Sequence, residues 1–150
     1  MAPRDQLVAI LQGSVERWNV LRRVHPRWQP DLSGCNLRDF DLRDANLSRT
    51  NLRGALLIHA DLTGADLRGA DLESAFLCGA ELADAFLINA NLNHADLRGA
   101  DLSYADLRGA SVLGACMVGV TLIGANIRGV NLAGAVLARR GADDGFRQSA

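Results

Sequence analysis

The 150-residue chain contains no lysine; all 16 of its basic residues are arginine, set against 17 acidic ones. A formal net charge of −1 gives no general electrostatic reason to expect direct nucleic-acid binding or attraction to an anionic membrane. Cysteines number three, Cys35, Cys78 and Cys116, far apart and without metal-ligand spacing. That pattern argues against a disulfide framework or a zinc site and suits a reducing compartment. No apolar run is long enough to span a membrane, and the run from Leu7 to Leu11 is too short for the core of a signal peptide. The expected setting is therefore the cytoplasm, with no membrane partner. His25, His59 and His94 stand isolated, and no Ser/His/Asp grouping or glycine-rich phosphate loop accompanies them. Nothing here indicates an enzyme or a cofactor.

What the chain has is a period of five. From Pro30 to Arg139 it runs through 22 consecutive pentapeptides without insertion or deletion. A central Leu recurs at every fifth residue from Leu32 to Leu107, followed by Val112, Met117, Leu122, Ile127, Leu132 and Leu137. Two residues before it the chain has Ala in 16 of 22 units, which leaves little room for anything larger at that position. The residue just before the central one, here called leading, is mostly Asp or Asn. The residue just after it, here called trailing, is often Arg or Ser. In extended backbone alternate side chains point to opposite sides, so the small and central residues share an interior while leading and trailing residues face out. Gly fills the fifth position in 12 of 22 units, as a corner with positive φ requires. A helix is excluded: residues at intervals of five leave no stable stripe at 3.6 residues per turn, and each interior Gly costs about 1 kcal/mol.

Short strands separated by regular corners wind into a solenoid, whose units must stack to bury their apolar sides. With units such as Ala65-Asp-Leu-Arg-Gly69 repeated at 95–99 and 105–109, residues 30–139 resemble the pentapeptide-repeat family, whose consensus is Ala-(Asp/Asn)-Leu-X-X. The resemblance implies an all-β solenoid, a right-handed quadrilateral β-helix with four pentapeptides per coil. About five and a half coils at ~4.8 Å each would reach roughly 26 Å. Phe40, Val120 and Val130 replace the usual Ala and should distort the coil locally, and the last two coils should be the least regular.

Residues 1–29 read as a helical cap and lead-in. Leu7, Leu11, Val15, Trp18 and Leu21 form one apolar helical face, Asp5 or Ser14 could cap it, and Pro26 and Pro30 end it. Such a helix, similar to the lead-in of many family members, would plug the open N-terminal end of the core. Residues 140–150 read as a flexible tail, so either Phe146 folds back or the last coil packs on another molecule.

With four units per coil, outward residues twenty apart stack on one face. One face departs from the hydrophilic pattern, with Leu56, Ile58, Phe76 and Cys78 followed, after Asp96 and Arg98, by Cys116, Val118 and Val136. With Phe86 and Ile88 placed near it, this is the candidate surface for a protein partner or for self-association as a homodimer. Asp41, Asp61, Glu81 and Asp101 form an acidic column. Some family members are described as duplex-DNA mimics that bind type II topoisomerases such as DNA gyrase and protect against quinolone-like poisons. The resemblance makes that column the basis of an alternative function.

Overall fold

A solenoid of this kind stands on what each pentapeptide does with its five backbone N–H groups. The computed structural model of the protein describes residues 4–137. Eighteen parallel bridges join leading residues at an interval of twenty, from Asp31↔Asn51 to Cys116↔Val136, so four pentapeptides complete one coil. The unit 50–54 shows how. Thr50 N–H closes its own corner on Leu47 O (3.2 Å), and Asn51 N–H reaches back to Pro30 O (2.9 Å). Leu52 and Gly54 N–H reach forward to Asp71 O and Glu73 O (2.7 and 2.9 Å). The trailing Arg53 N–H has no backbone acceptor and is taken instead by Asn51 Oδ1 (3.2 Å). Four donors are satisfied by the coil and the fifth by a side chain.

The corners follow the expectation drawn from Gly. Every fifth residue from Gly34 to Gly134 has positive φ, including non-glycines such as Asp39, His59 and Tyr104. A corner side chain leans along the axis over its successor. A Cβ on Gly79 would lie 2.6 Å from His59 Nδ1, so Gly79 is required by its neighbour as well as by its own φ of +62°.

Central Leu and small Ala residues form one continuous interior, and every central residue from Leu32 to Leu107 is buried. Of the larger residues at the small position, Phe40 and Val120 fit with little disturbance, whereas the coil is distorted beside Val130. Register is kept at Asp41↔Asp61 and Asp101↔Thr121, with only a long corner bond from Phe40 N–H to Leu37 O (3.4 Å). Next to Val130 the Ser111↔Asn131 register survives, but the bonds from Asn131 N–H to Ala110 O and from Val112 N–H to Asn131 O, whose counterparts hold Asn126 and Val136, are not formed. Phe40 belongs to the first coil, so no other coil lies beneath it, and the half-buried ring packs against the core. Loosening does occur late in the chain, where the bond from Gly114 N–H to Ala133 O stretches to 3.3 Å.

The N-terminal cap is helical, but it is two helices where the apolar spacing suggests one: α1 (Arg4–Gly13) and α2 (Val15–Val24). Ser14 breaks them by capping α2, its side chain accepting from Arg17 N–H. Leu7, Leu11 and Trp18 are buried, whereas Leu21 is only half-buried and Arg22 is the buried residue beside it. The reason lies at the rim of the first coil, which lacks a preceding coil to satisfy its polar groups. Asn46 N–H donates to Asn19 Oδ1 (2.8 Å), Trp18 Nε1–H to Asn46 O (2.8 Å), and Arg22 Nη2–H to Ser48 O (2.5 Å). These three side chains occupy the hydrogen-bonding places of a missing coil on one face. Trp28 packs against Trp18 at 5.5 Å, which accounts for both tryptophans without a membrane. No helix among the described residues is long and apolar enough to cross one.

At the other end the interior opens. Ile127, Leu132 and Leu137, all central residues, are 42%, 37% and 36% exposed. The tail 140–150 with Phe146 lies outside the described residues.

Replacing Asn19 by Ala strands the part-buried Asn46 N–H and should lower stability by about 1–3 kcal/mol in urea unfolding. Asn19→Asp keeps the acceptor and should lose less.

Candidate functional site

The bridges order the four outer faces around the coil and place each candidate residue. Leu56, Phe76, Asp96, Cys116 and Val136 share one ladder. Leu56, Ile58 and Cys78 are half-buried and Phe76 is 44% exposed, so two successive coils present an unbroken apolar quartet. The quartet ends at Asp96 and Arg98, a two-point ion pair (Nε–Oδ1 2.8 Å, Nη2–Oδ2 2.6 Å). Beyond it lie half-buried Val118 and exposed Val136, a separate patch. Burial, then the Asp96 carboxylate, pushes the Cys78 thiol above its ordinary pKa, so it stays neutral and belongs with the apolar surface.

Phe86 and Ile88 do not join this surface. Their ladder, Asp66↔Phe86↔Asp106, is two corners away, on the opposite side of the coil. Phe86 is 47% exposed there, but the ion pairs Arg68–Asp66 and Arg108–Asp106, both 2.7 Å, bracket it along the axis. It is a single-coil island.

Departures from Asp or Asn at the leading position have a second consequence. Fourteen trailing N–H groups are held by the leading side chain of their own unit, at 2.9–3.3 Å, as in Ser103 N–H to Asp101 Oδ1. Leu56, Phe76 and Phe86 carry no acceptor, and the N–H groups of Ile58, Cys78 and Ile88 have no hydrogen-bond partner among the described residues. Ile58 and Cys78 lie on the same face in adjacent coils.

Asp41, Asp61, Glu81 and Asp101 do form one ladder. It is not uniformly anionic: Arg43 lies 2.5 Å from Asp41 and 3.5 Å from Asp61 and offsets one of the two charges in its first half. Hydrogen bonding from Arg43 holds the Asp41 carboxyl down at about 2. The two corner histidines stay apart, His59 leaning over Gly79 and His94 over Gly114.

Periodicity alone passes over the belt around the penultimate coil. Leu113 and Ile123, both trailing residues, are 40% and 66% exposed. A compositional signal marks it, since Arg128 is the only charged residue between Ala110 and Leu137.

The pattern described as pentapeptide repeats matches in eight copies, over residues 31–64, 45–82, 79–112 and 114–139. Among solved structures the chain is similar to Rfr23, a pentapeptide repeat protein from the cyanobacterium Cyanothece 51142. Identity is 29% over 81% of this chain and 95% of that one, with a TM-score of 0.72. It is also similar to HetL from Nostoc sp. strain PCC 7120, a pentapeptide repeat protein involved in heterocyst differentiation regulation. There the identity is 34% over 73% of this chain and 62% of that one, with a TM-score of 0.30. QnrB1, a plasmid-mediated fluoroquinolone resistance protein, matches in a trypsin-treated form at 19% identity over 73% of this chain and 68% of that one, with a TM-score of 0.39. No curated protein matches.

Removing the Arg43 guanidinium tests the half of the acidic column that it pairs with. In Arg43→Ala the Asp41 carboxyl should rise from about 2 toward its ordinary 3.8 in a carbon-detected NMR titration. High salt should shrink the difference, since both groups are solvent-exposed.

Proposed function

The chain belongs to the pentapeptide-repeat family, and on that premise we propose that it is a non-enzymatic protein-interaction scaffold of the cytoplasm that works through the face bearing Leu56, Ile58, Phe76 and Cys78. The observation that carries this reading is a contiguous apolar quartet, with Phe76 44% exposed, on a coil whose consensus puts Asp or Asn at the leading position. The scaffold does not need these residues. Their neighbours Asp66, Asp96 and Asp106 meet the same backbone demand with a carboxylate. Isolated exposed apolar residues are ordinary on protein surfaces, but an apolar cluster across two coils is the mark of a contact surface. Val118 and Val136, beyond the Asp96–Arg98 pair, extend the same face as a second patch. Phe86 and Ile88, on the opposite side, would engage a partner only separately.

Phe76→Arg places a charge at the centre of the quartet without touching the interior. Affinity capture from native extract with wild type and with this variant, alongside sedimentation for self-association, should show a partner retained by the first and lost by the second. Identical capture and sedimentation profiles would sink the reading.

A second reading rests on the stacking of Asp41, Asp61, Glu81 and Asp101 in one ladder. A rod with an acidic column can occupy a groove built for duplex DNA, here that of a type II topoisomerase such as gyrase. It stands second because Arg43 pairs with Asp41 and Asp61 and offsets one of the four negative charges. If it holds, added protein should alter gyrase supercoiling and protect the enzyme against quinolones; no change in either assay would remove it.

A further inference from the structure

We propose that the quartet face recognises a partner segment carrying a carboxylate beside apolar side chains, with the backbone N–H groups of Ile58 and Cys78 as the carboxylate's donors. The inference rests on the apolar face being a protein-binding surface and names the chemistry of what binds there. Everywhere that Asp or Asn leads a described pentapeptide, its Oδ1 accepts the trailing N–H on the outside of the coil. That bond shows where this donor points. At Ile58 and Cys78 the leading residues are Leu56 and Phe76, and the donors have no partner among the described residues. Adjacent coils set them about 4.8 Å apart on one face, a spacing that a single carboxylate can bridge.

The surroundings favour an anionic occupant. Arg38 flanks the quartet on the first-coil side, its own leading residue is neutral Asn36, and no carboxylate among the described residues pairs with it. On the other side Arg98 closes the face, and its charge is met by Asp96. Cys78 stays a neutral thiol, and the Asp96 carboxylate beside it is paired with Arg98. Leu56 and Phe76 supply an apolar floor that a small free anion could not use but an apolar neighbour of Asp or Glu could. An incoming acid would make to these two donors the bond that Asp66 makes to Arg68 N–H within its own unit (3.1 Å). Hydrogen bonds to charged groups are the stronger kind, and strength rises where apolar side chains exclude water.

The corresponding control is to let the chain satisfy itself. The double variant Leu56→Asp, Phe76→Asp recreates the Asp-Leu-X unit at both coils, so it should fold and keep or raise its urea midpoint while closing the site. A random-peptide display library panned on the full chain, with the double variant as counter-selection, should return sequences with Asp or Glu next to Leu, Ile or Phe. A synthetic peptide of that kind should shift the Ile58 and Cys78 amide resonances, and changing its acid to Ala should weaken binding by about tenfold or more. Peptides that bind this face equally well without an acid would overturn the carboxylate and leave the scaffold reading standing. No selective binder, or self-association through this face that excludes peptides, would overturn the proposal; the first result would count against the scaffold reading as well.

Discussion

A pentapeptide offers five backbone N–H groups, and the four-sided coil has places for four. Its corner uses one and the adjacent coils take three, as in the unit from Thr50 to Gly54. The trailing N–H is left facing outward, where fourteen leading Asp or Asn side chains accept it. The recurrent Asp and Asn therefore serve local hydrogen bonding before they serve charge. This weakens any functional weight placed on an acidic column as such. It also gives the exceptions meaning: where Leu or Phe leads, the chain has given up a hydrogen bond and gained exposed apolar surface.

The same demand governs the N-terminal end of the rod. At Asn46 and Ser48 the first coil lacks a predecessor, and Trp18, Asn19 and Arg22 supply the missing donors and acceptor from α2. Burying Arg22 beneath the coil follows from that task, since Nη1–H and Nη2–H both end on carbonyl oxygens, those of Trp28 and Ser48. The other end of the described chain has no such device, and the central residues Ile127, Leu132 and Leu137 become exposed there. Around it lies a stretch almost without charge. The rod is thus polar in character along its axis, with arginine-rich helices at one end and apolar coils at the other.

Much of this is legible without coordinates. The five-residue spacing of Leu32 to Leu107 predicts the interior, Gly34 and its successors predict the corners, and the apolar residues at 7, 11, 15 and 18 predict a helical cap. The apolar pattern misplaces Leu21 and Arg22 because it cannot see that the rim needs donors more than it needs another apolar side chain. The distortion expected at Phe40 weighs its bulk against an Ala column; in the first coil there is no column beneath it. Phe86 and Ile88 group with Phe76 as outward apolar residues, although ten residues along this chain is half a coil, and half a coil is the opposite face.

The linear chain by itself determined the repeat, the separation of inward from outward residues and the excess of apolar residues at Leu56 and Phe76. These depend on spacing, which sequence records directly. The tertiary structure decided which outward residues share a face, which arginines neutralise which acids, and which backbone donors remain unmatched. Those depend on contacts between residues twenty apart and on the cap, and each is set by the position of a neighbouring coil. Ile58 and Cys78 show the difference: the sequence displays two apolar side chains, whereas the coil sets two unpaired N–H groups side by side.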